Sequence, residues 1–259
     1  MEGKDCHVVT TLLAVIAKLV SYCKENCDGD YYIIPLVNPD GYEYARKVDS
    51  RWLKSRQPFE SYSLPIRSFT HNSSVNDFQT KTCYGVRLDF NYPPNSTFYI
   101  GGSSDPCSET YRGPKPAHAP EIQAVMALKK SLPNLQLGIT FLGVNVVYSS
   151  SYDKLFFPYA HKRRVHRVPE YKQYKHLASA CYYAVKKYDD YDVYFYISYD
   201  FPHGGTSMDY WYSAQPSCSS FIWALKPYPK SASTISVRAN RVIAGINGMI
   251  TKKNEIVLP

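Results

Sequence analysis

An apolar run followed by turn-forming residues constrains the fold of this chain more than any other feature. The run covers residues 31–37 and is rich in aromatic and branched side chains, which favour β-strands. It stops at Asn38-Pro39-Asp40-Gly41, and such residues end strands and form turns. The segment therefore predicts a buried strand that ends in a turn.

Apolar runs alternate with segments of helical periodicity along the rest of the chain. Further strands are predicted at residues 137–148, 191–199 and 219–225. Helices are predicted over about residues 8–24, from Pro120 onward, and over about residues 171–187 and 237–251. The polar residues 51–82 predict a long irregular surface excursion. The alternation predicts an α/β fold whose sheet is mostly parallel or mixed and is covered on both faces. The length allows one large domain or two small ones.

Composition and charge favour a globular protein without a membrane span. The chain is 44% hydrophobic, which is ordinary for a protein with a packed core. No uninterrupted apolar run approaches the roughly 18 residues of a membrane-spanning helix. Residues 8–20 resemble the apolar part of a signal peptide, but Glu2 and Asp5 precede them and Lys18 interrupts them. A buried amphipathic helix is therefore the favoured interpretation.

The net charge of +8 includes a dense basic cluster between Pro158 and Pro169. Such a cluster can bind nucleic acid, heparin or an acidic protein. A solvated loop is favoured over nucleic-acid binding, because no aromatic-interleaved RNA-binding motif accompanies the cluster. An anionic partner remains open, and its candidate contacts are Lys162, Arg163, Arg164 and Arg167. The protein is expected to be a monomer.

Cysteines and glycosylation sequons bear on the compartment. The seven cysteines include no Cys-x-x-Cys pair, so a zinc ribbon is not indicated. Two sequons, at Asn72 and Asn95, are typical of secreted proteins. The sequence leaves open the pairing of Cys6, Cys23, Cys27, Cys181 and Cys218.

Two motifs together resemble the zinc carboxypeptidases of the A/B type. In that family a strand ends in Asn-Pro-Asp-Gly, as at Asn38, and a later loop carries Pro-Cys-Ser-Glu-Thr-Tyr, as within residues 103–113. The resemblance covers nearly the whole chain. It implies the carboxypeptidase fold, a disulfide between Cys83 and Cys107, an extracellular location, and zinc-dependent proteolysis from the C-terminus.

The same resemblance implies a single carboxypeptidase A-like α/β domain over residues 1–259, with a mixed, mostly parallel, twisted sheet and helices on both faces. The domain is divergent and incomplete at its N-terminus, without the first strands of the family's sheet. We expect poor solubility of the isolated chain, because a neighbouring strand would be left with unpaired backbone groups.

The family's zinc ligands are two histidines and a glutamate. The resemblance puts their positions at Met1, Lys4 and Ser149, and serine is a poor zinc ligand. The sole His-x-x-Glu sequence, His118 to Glu121, falls where the family begins a helix, so Glu121 is interpreted as a partner of the helix dipole. No metal cofactor is predicted to bind.

The family's other site residues are also replaced. The Asn-Arg pair that holds the substrate's terminal carboxylate is Asp89-Phe90, and the aspartate that orients a zinc histidine is Arg87. The oxyanion arginine is Leu53, and the general-base glutamate is Ala224. A tyrosine of the site has a possible remnant in Tyr199, and Met208 would line an apolar specificity pocket.

These replacements predict a catalytically inactive carboxypeptidase homologue that acts as a binding protein. One alternative is an active metallocarboxypeptidase whose zinc is held by unrecognised residues. The candidate ligands for that alternative are His7, Asp200, His203 and Asp209. A second alternative is an anion-binding secreted protein that uses the basic cluster.

Overall fold

The structure, a computed structural model, describes residues 4–23, 29–65, 78–143, 152–162, 168–189, 191–196, 204–215, 217–227 and 231–257. Its helices are α1 (Cys6–Cys23), α2 (Pro39–Lys47), α3 (Asn95–Phe98), α4 (Pro120–Ser131), α5 (Tyr171–Asp189), α6 (Ser207–Ala214) and α7 (Ala232–Val257). Its strands are β1 (Pro58–Pro65), β2 (Phe78–Tyr84), β3 (Leu137–Gly143), β4 (Asp153–Phe156), β5 (Val193–Tyr196) and β6 (Ser219–Leu225). A 3-10 turn covers Leu88–Phe90.

Within the described residues, four strands form the central sheet, in the order β3-β6-β4-β5. β3 runs parallel to β6 and β4 runs parallel to β5, whereas β4 and β6 are antiparallel. Every residue of β6 is buried, as expected of a strand with a covering layer on each face. The predicted mixed α/β sheet is confirmed.

Helices α1, α5 and α7 cover one face of the sheet. Phe221, Trp223 and Leu225 of β6 lie in one hydrophobic core with buried residues of these helices, and Ile222 and Ala224 lie in a separate cluster. This division follows from the two-residue period of a strand. Gly248 lets α7 approach α5 closely, since a Cβ there would lie 2.7 Å from the carbonyl oxygen of Ala180.

Helix α1 packs one side against this core. Leu12, Val15 and Leu19 are buried in it, in line with the amphipathic helix that the sequence predicts. Leu13 and Val20, on the other side, are 52% and 56% exposed. By length and composition alone, α1 is also a helix that could cross a membrane.

The strand predicted at residues 31–37 is wrong, because the structure assigns no strand to that segment. Apolar composition indicates burial, but a strand also needs a partner for its N–H and C=O groups. The motif that follows begins a helix: the Asn38 Oδ1 accepts a hydrogen bond from the Gly41 N–H at 3.0 Å, and Pro39 occupies the first turn of α2. Asparagine caps and first-turn prolines favour helix starts.

The prediction of an irregular surface segment over residues 51–82 is wrong in part, because β1 and β2 form an antiparallel pair within it. Pro58 and Pro65 stand at the two ends of β1, where a missing amide donor is tolerated. Residues 66–77, between the two strands, lie outside the described residues.

Candidate functional site

The position assigned to the general base lies in an apolar cluster. Ala224 is 8% exposed, and it clusters with Leu142, Phe156, Ala160, Met208 and Ile222. The Met208 carbonyl oxygen accepts a hydrogen bond from the Ser220 Oγ at 2.8 Å, which fixes α6 against β6. Lys154 pairs directly with Ala224 in the antiparallel ladder of β4 and β6, so its side chain projects from the same face of the sheet.

Asp209, a candidate ligand of the alternative zinc site, binds protein groups instead. Its carboxylate accepts hydrogen bonds from the Ala160 N–H at 3.0 Å and from the His161 N–H at 3.2 Å. The His161 Nδ1 lies 2.6 Å from Asp209 Oδ2. The Thr206 side chain caps α6 by accepting from the Asp209 N–H at 3.1 Å. Asp209 therefore joins α6 to the segment after β4.

His7, a second candidate ligand, lies in a different network. Its Nε2 is 3.2 Å from the Leu225 carbonyl oxygen, and burial lowers its pKa. The neighbouring Asp5 accepts a hydrogen bond from the Gly143 N–H at 2.8 Å. Asp200 and His203 lie outside the described residues.

Arg87 and Asp89 form a buried ion pair at the position assigned to the carboxylate clamp. Their Nε and Oδ1 atoms are 2.7 Å apart, and each side chain is 9% exposed. Because the two charges meet inside the protein, each largely compensates the other. The Phe90 ring centroid lies 5.8 Å from the Arg87 guanidinium carbon. Gly205 has a φ of +76°. Because it has no side chain, its backbone packs directly against the Phe90 backbone.

The segment around Leu53 is held by features that the sequence analysis missed. The Lys54 side chain is almost fully buried, and its Nζ donates to the Pro106 carbonyl oxygen at 2.8 Å. Burial lowers the pKa of Lys54. The Arg56 guanidinium lies 3.7 to 4.7 Å from three ring centroids, those of Tyr44, Trp52 and Tyr84. No local sequence signal distinguishes these two cations from solvated ones.

The residues that the sequence analysis assigns to the family's metal positions are not of the types that usually bind zinc. Lys4, which precedes α1, carries an amine whose ammonium form donates hydrogen bonds and accepts none. Met1 and Ser149 lie outside the described residues. The part of the chain that the structure describes contains no group of three or more His, Cys, Asp or Glu side chains arranged to hold a metal. Tyr199 also lies outside that part.

His118 lies in the loop before α4, and Glu121 lies in the first turn of that helix. The His118 Nε2 lies 3.4 Å from the Gln57 side-chain nitrogen, and its ring lies 5.7 Å from that of Phe59. Burial raises the pKa of Glu121, which stands in the first turn of α4.

The structure contains the disulfide between Cys83 and Cys107, with Cα atoms 5.1 Å apart. Cys23 is also disulfide-bonded. Cys6, Cys181 and Cys218 are free thiols.

Few of the remaining candidate residues can be placed. The Lys162 ammonium lies 4.2 Å from the Tyr159 ring centroid. Arg163, Arg164 and Arg167 lie outside the described residues, as does Asn72. Asn95 is the first residue of α3.

The mixed sheet with helices on both faces is the fold of solved carboxypeptidases. Superposition on bovine thrombin-activatable fibrinolysis inhibitor, solved with tick carboxypeptidase inhibitor, gives a TM-score of 0.77 at 22% identity over 99% of this chain and 80% of that one. Carboxypeptidase A of Helicoverpa armigera gives 0.74 at 17% identity over 100% of this chain and 60% of that one.

The chain belongs to the zinc carboxypeptidase family, whose model matches residues 10–257. It is 36% identical over 103 residues to a metallocarboxypeptidase A-like protein of Trichophyton verrucosum, covering 40% of this chain and 19% of the relative. It is 34% identical over 134 residues to the inactive metallocarboxypeptidase ecm14 of Schizosaccharomyces pombe, covering 51% and 22%. The matches thus span about a fifth of the length of these curated relatives.

Proposed function

We propose that this member of the zinc carboxypeptidase family is catalytically inactive and acts by binding. The observation that carries the proposal is the alanine at position 224, which is assigned to the general base. An alanine cannot accept a proton. Leu142, Phe156 and Met208, which cluster with it, are apolar, and its cross-strand neighbour Lys154 carries an amine in place of a carboxylate.

The buried pair of Arg87 and Asp89 supports the same conclusion. A clamp for a substrate carboxylate needs a cation with free donors facing the cleft. At this position Arg87 is paired with a carboxylate of the same chain, that of Asp89. Phe90, at the position assigned to the clamp's arginine, has no donor in its side chain.

A zinc-bound water would supply the nucleophile in the active members of such a family. Lys4 is a poor donor for that metal, and Met1 and Ser149 add a thioether and a hydroxyl in place of imidazoles. Similarity to the inactive ecm14 of S. pombe supports an inactive homologue. The sequons at Asn72 and Asn95 and the Cys83–Cys107 disulfide support an extracellular location.

The proposal is tested with the purified 259-residue chain and peptides that end in Phe or in Arg. Mass spectrometry follows the release of the last residue with zinc added, and a parallel sample contains a chelator. We expect no chelator-sensitive release above that of a heat-denatured sample, while an active carboxypeptidase of either specificity cleaves at least one of the two peptides. Chelator-sensitive release would contradict the proposal, and variants His7→Gln and Asp209→Asn would then test the alternative zinc ligands.

A further inference from the structure

The positive charge of this chain is concentrated in one segment. Residues 154–187 contain nine of the 30 lysines and arginines and one of the 22 acidic residues, Glu170. The remaining residues therefore contain 21 basic and 21 acidic side chains, whose charges cancel. The whole formal net charge of +8 thus comes from this segment. A charge excess confined to one part of a protein attracts an anionic partner to that part.

Helix α5, which lies within this segment, presents its four lysines on one side. At about 100° of rotation per residue, these lysines fall within an arc of about 120°. Lys172, Lys175 and Lys187 are exposed, and Lys186 is partly exposed. We call these four residues the α5 basic face. The buried residues of the helix lie on its opposite side and are Tyr174, Leu177, Ala178, Cys181 and Val185.

Neighbouring carboxylates neutralise little of the α5 basic face. The Lys186 Nζ lies 3.0 Å from Asp192 Oδ1, so this lysine is paired. Asp189, at the end of the helix, is paired with Arg241 of α7 instead. Within the described residues, the three exposed lysines of the face make no ion pair. Their charges are therefore available to a partner.

A further cation, Lys162, lies close to the start of α5. Its ammonium is 4.2 Å from the Tyr159 ring centroid, and that ring lies 5.4 Å from the ring of Tyr212. The Tyr212 hydroxyl donates to Glu170 Oε2 at 2.8 Å, directly before the helix begins. The α5 basic face itself spans about 22 Å, at a rise of about 1.5 Å per residue. Its length suits a polyanion better than a single small anion.

The surroundings of the α5 basic face select among polyanions. The apolar side of α5 is buried in the core, so the helix has no apolar face to insert into a membrane. Tyr183 is exposed on this face, but single-stranded nucleic acid binds on aromatic rings that stack successive bases. The disulfide between Cys83 and Cys107 is typical of extracellular proteins. Sulfated polysaccharides are the common polyanions of that compartment.

We propose that the α5 basic face, with Lys162 near one end, binds a sulfated polysaccharide of the heparin type. The lysines contact sulfate groups along the helix, and the release of counterions favours the complex. The inference rests on the binding half of the proposed function and names its partner. Ala224 belongs to a cluster separate from the core that α5 covers, so heparin binding and peptide hydrolysis are measured independently.

The test measures the binding of fluorescein-labelled heparin to the 259-residue chain by anisotropy, at about 150 mM NaCl. The test variant removes three charges from the α5 basic face. Glutamine favours helices about as well as lysine does, so the fold is kept. The substitutions are Lys172→Gln, Lys175→Gln and Lys187→Gln.

A matched control variant removes the same charge from exposed positions on other elements. Its substitutions are Lys47→Gln, Lys115→Gln and Lys130→Gln. We expect the test variant to lose at least tenfold in affinity for heparin, and the control to stay within threefold of the parent chain. The slope of log affinity against log salt should be smaller by about two to three for the test variant, since each contacting lysine contributes about one.

Three results would overturn the proposal. One is no binding of heparin by the parent chain at this salt concentration. A second is an equal loss of affinity in the test variant and the control, which would mean attraction to the net charge alone. The third is tighter binding to single-stranded DNA or to phosphatidylserine vesicles than to heparin. Chelator-sensitive peptide hydrolysis would contradict the proposed inactivity and not this surface.

Discussion

Placing a glutamate at position 224 tests whether this part of the molecule is an apolar cluster or a hydrated catalytic cleft. In Ala224→Glu the new carboxyl would lie on the β6 face that packs against Met208 and Phe156. Lys154 lies directly across from position 224 in β4, so both variants in this comparison also carry Lys154→Met, which removes that charge. A carboxyl in the resulting apolar surroundings prefers its neutral form, and its pKa rises by several units. The variant Ala224→Gln has nearly the same size without the charge and is the matched control.

The magnitude follows from the linkage between the pKa and stability. If the folded-state pKa lies above 7.5, the introduced carboxyl stays neutral at pH 7.5. Each pH unit above the unfolded-state pKa of about 4.3 costs about 1.36 kcal/mol, so the total cost at pH 7.5 is about 4 kcal/mol. At about pH 5 the same penalty is roughly 1 kcal/mol. Because the folded pKa is raised, stability is lost as the pH rises above the unfolded pKa. The glutamine variant shares the strain of the added atoms, about 1–3 kcal/mol.

Urea unfolding of the two variants at about pH 5 and at pH 7.5 measures this difference. We expect the glutamate variant to be less stable than the glutamine variant by about 3–4 kcal/mol at the higher pH and by roughly 1 kcal/mol at the lower. Neither variant should hydrolyse peptides. Equal stability of the two variants at pH 7.5 would refute the reasoning, because it would mean that position 224 is solvated.

Three further changes test the structure. Asp89→Asn should cost about 3 kcal/mol, because it removes the carboxylate that compensates the buried Arg87 charge, whereas replacing both partners with apolar residues should cost less in the same urea unfolding. Replacing both Cys83 and Cys107 with serine should cost about 3.5 kcal/mol, from the loop of 24 residues that the disulfide closes, and an unchanged melting temperature would contradict this. Burial lowers the pKa of His7, so stability should fall as the pH drops below about 6.5. His7→Gln should make that decline shallower, and an identical pH profile would show that His7 does not contribute.

The elements that the sequence predicted well have a signal in their own local sequence. The predicted strand at residues 219–225 has the bounds of β6, and the helix predicted at 171–187 matches α5 to within two residues. Each element is a sustained run of one period, and the packed core agrees with that period. Residues 31–37 differ, because their β-type composition does not reveal whether a paired neighbour is present.

The candidate site likewise has features that the sequence predicts and features that it does not. The family motifs around Asn38 and Pro106 assign positions along the chain, and these positions are local in sequence. The contacts that give the site its character are nonlocal. The Asp209 carboxylate meets the Ala160 amide 49 residues away, and Lys54 reaches the Pro106 carbonyl 52 residues away. No periodicity or spacing encodes such contacts, since they depend on how separate elements pack.

The zinc content of the purified, desalted chain, measured by elemental mass spectrometry, tests the central claim of an inactive family member most directly. The replacements at Met1, Lys4 and Ser149 predict no zinc above background. Close to one tightly held zinc per chain would contradict that prediction and would favour an active metallocarboxypeptidase.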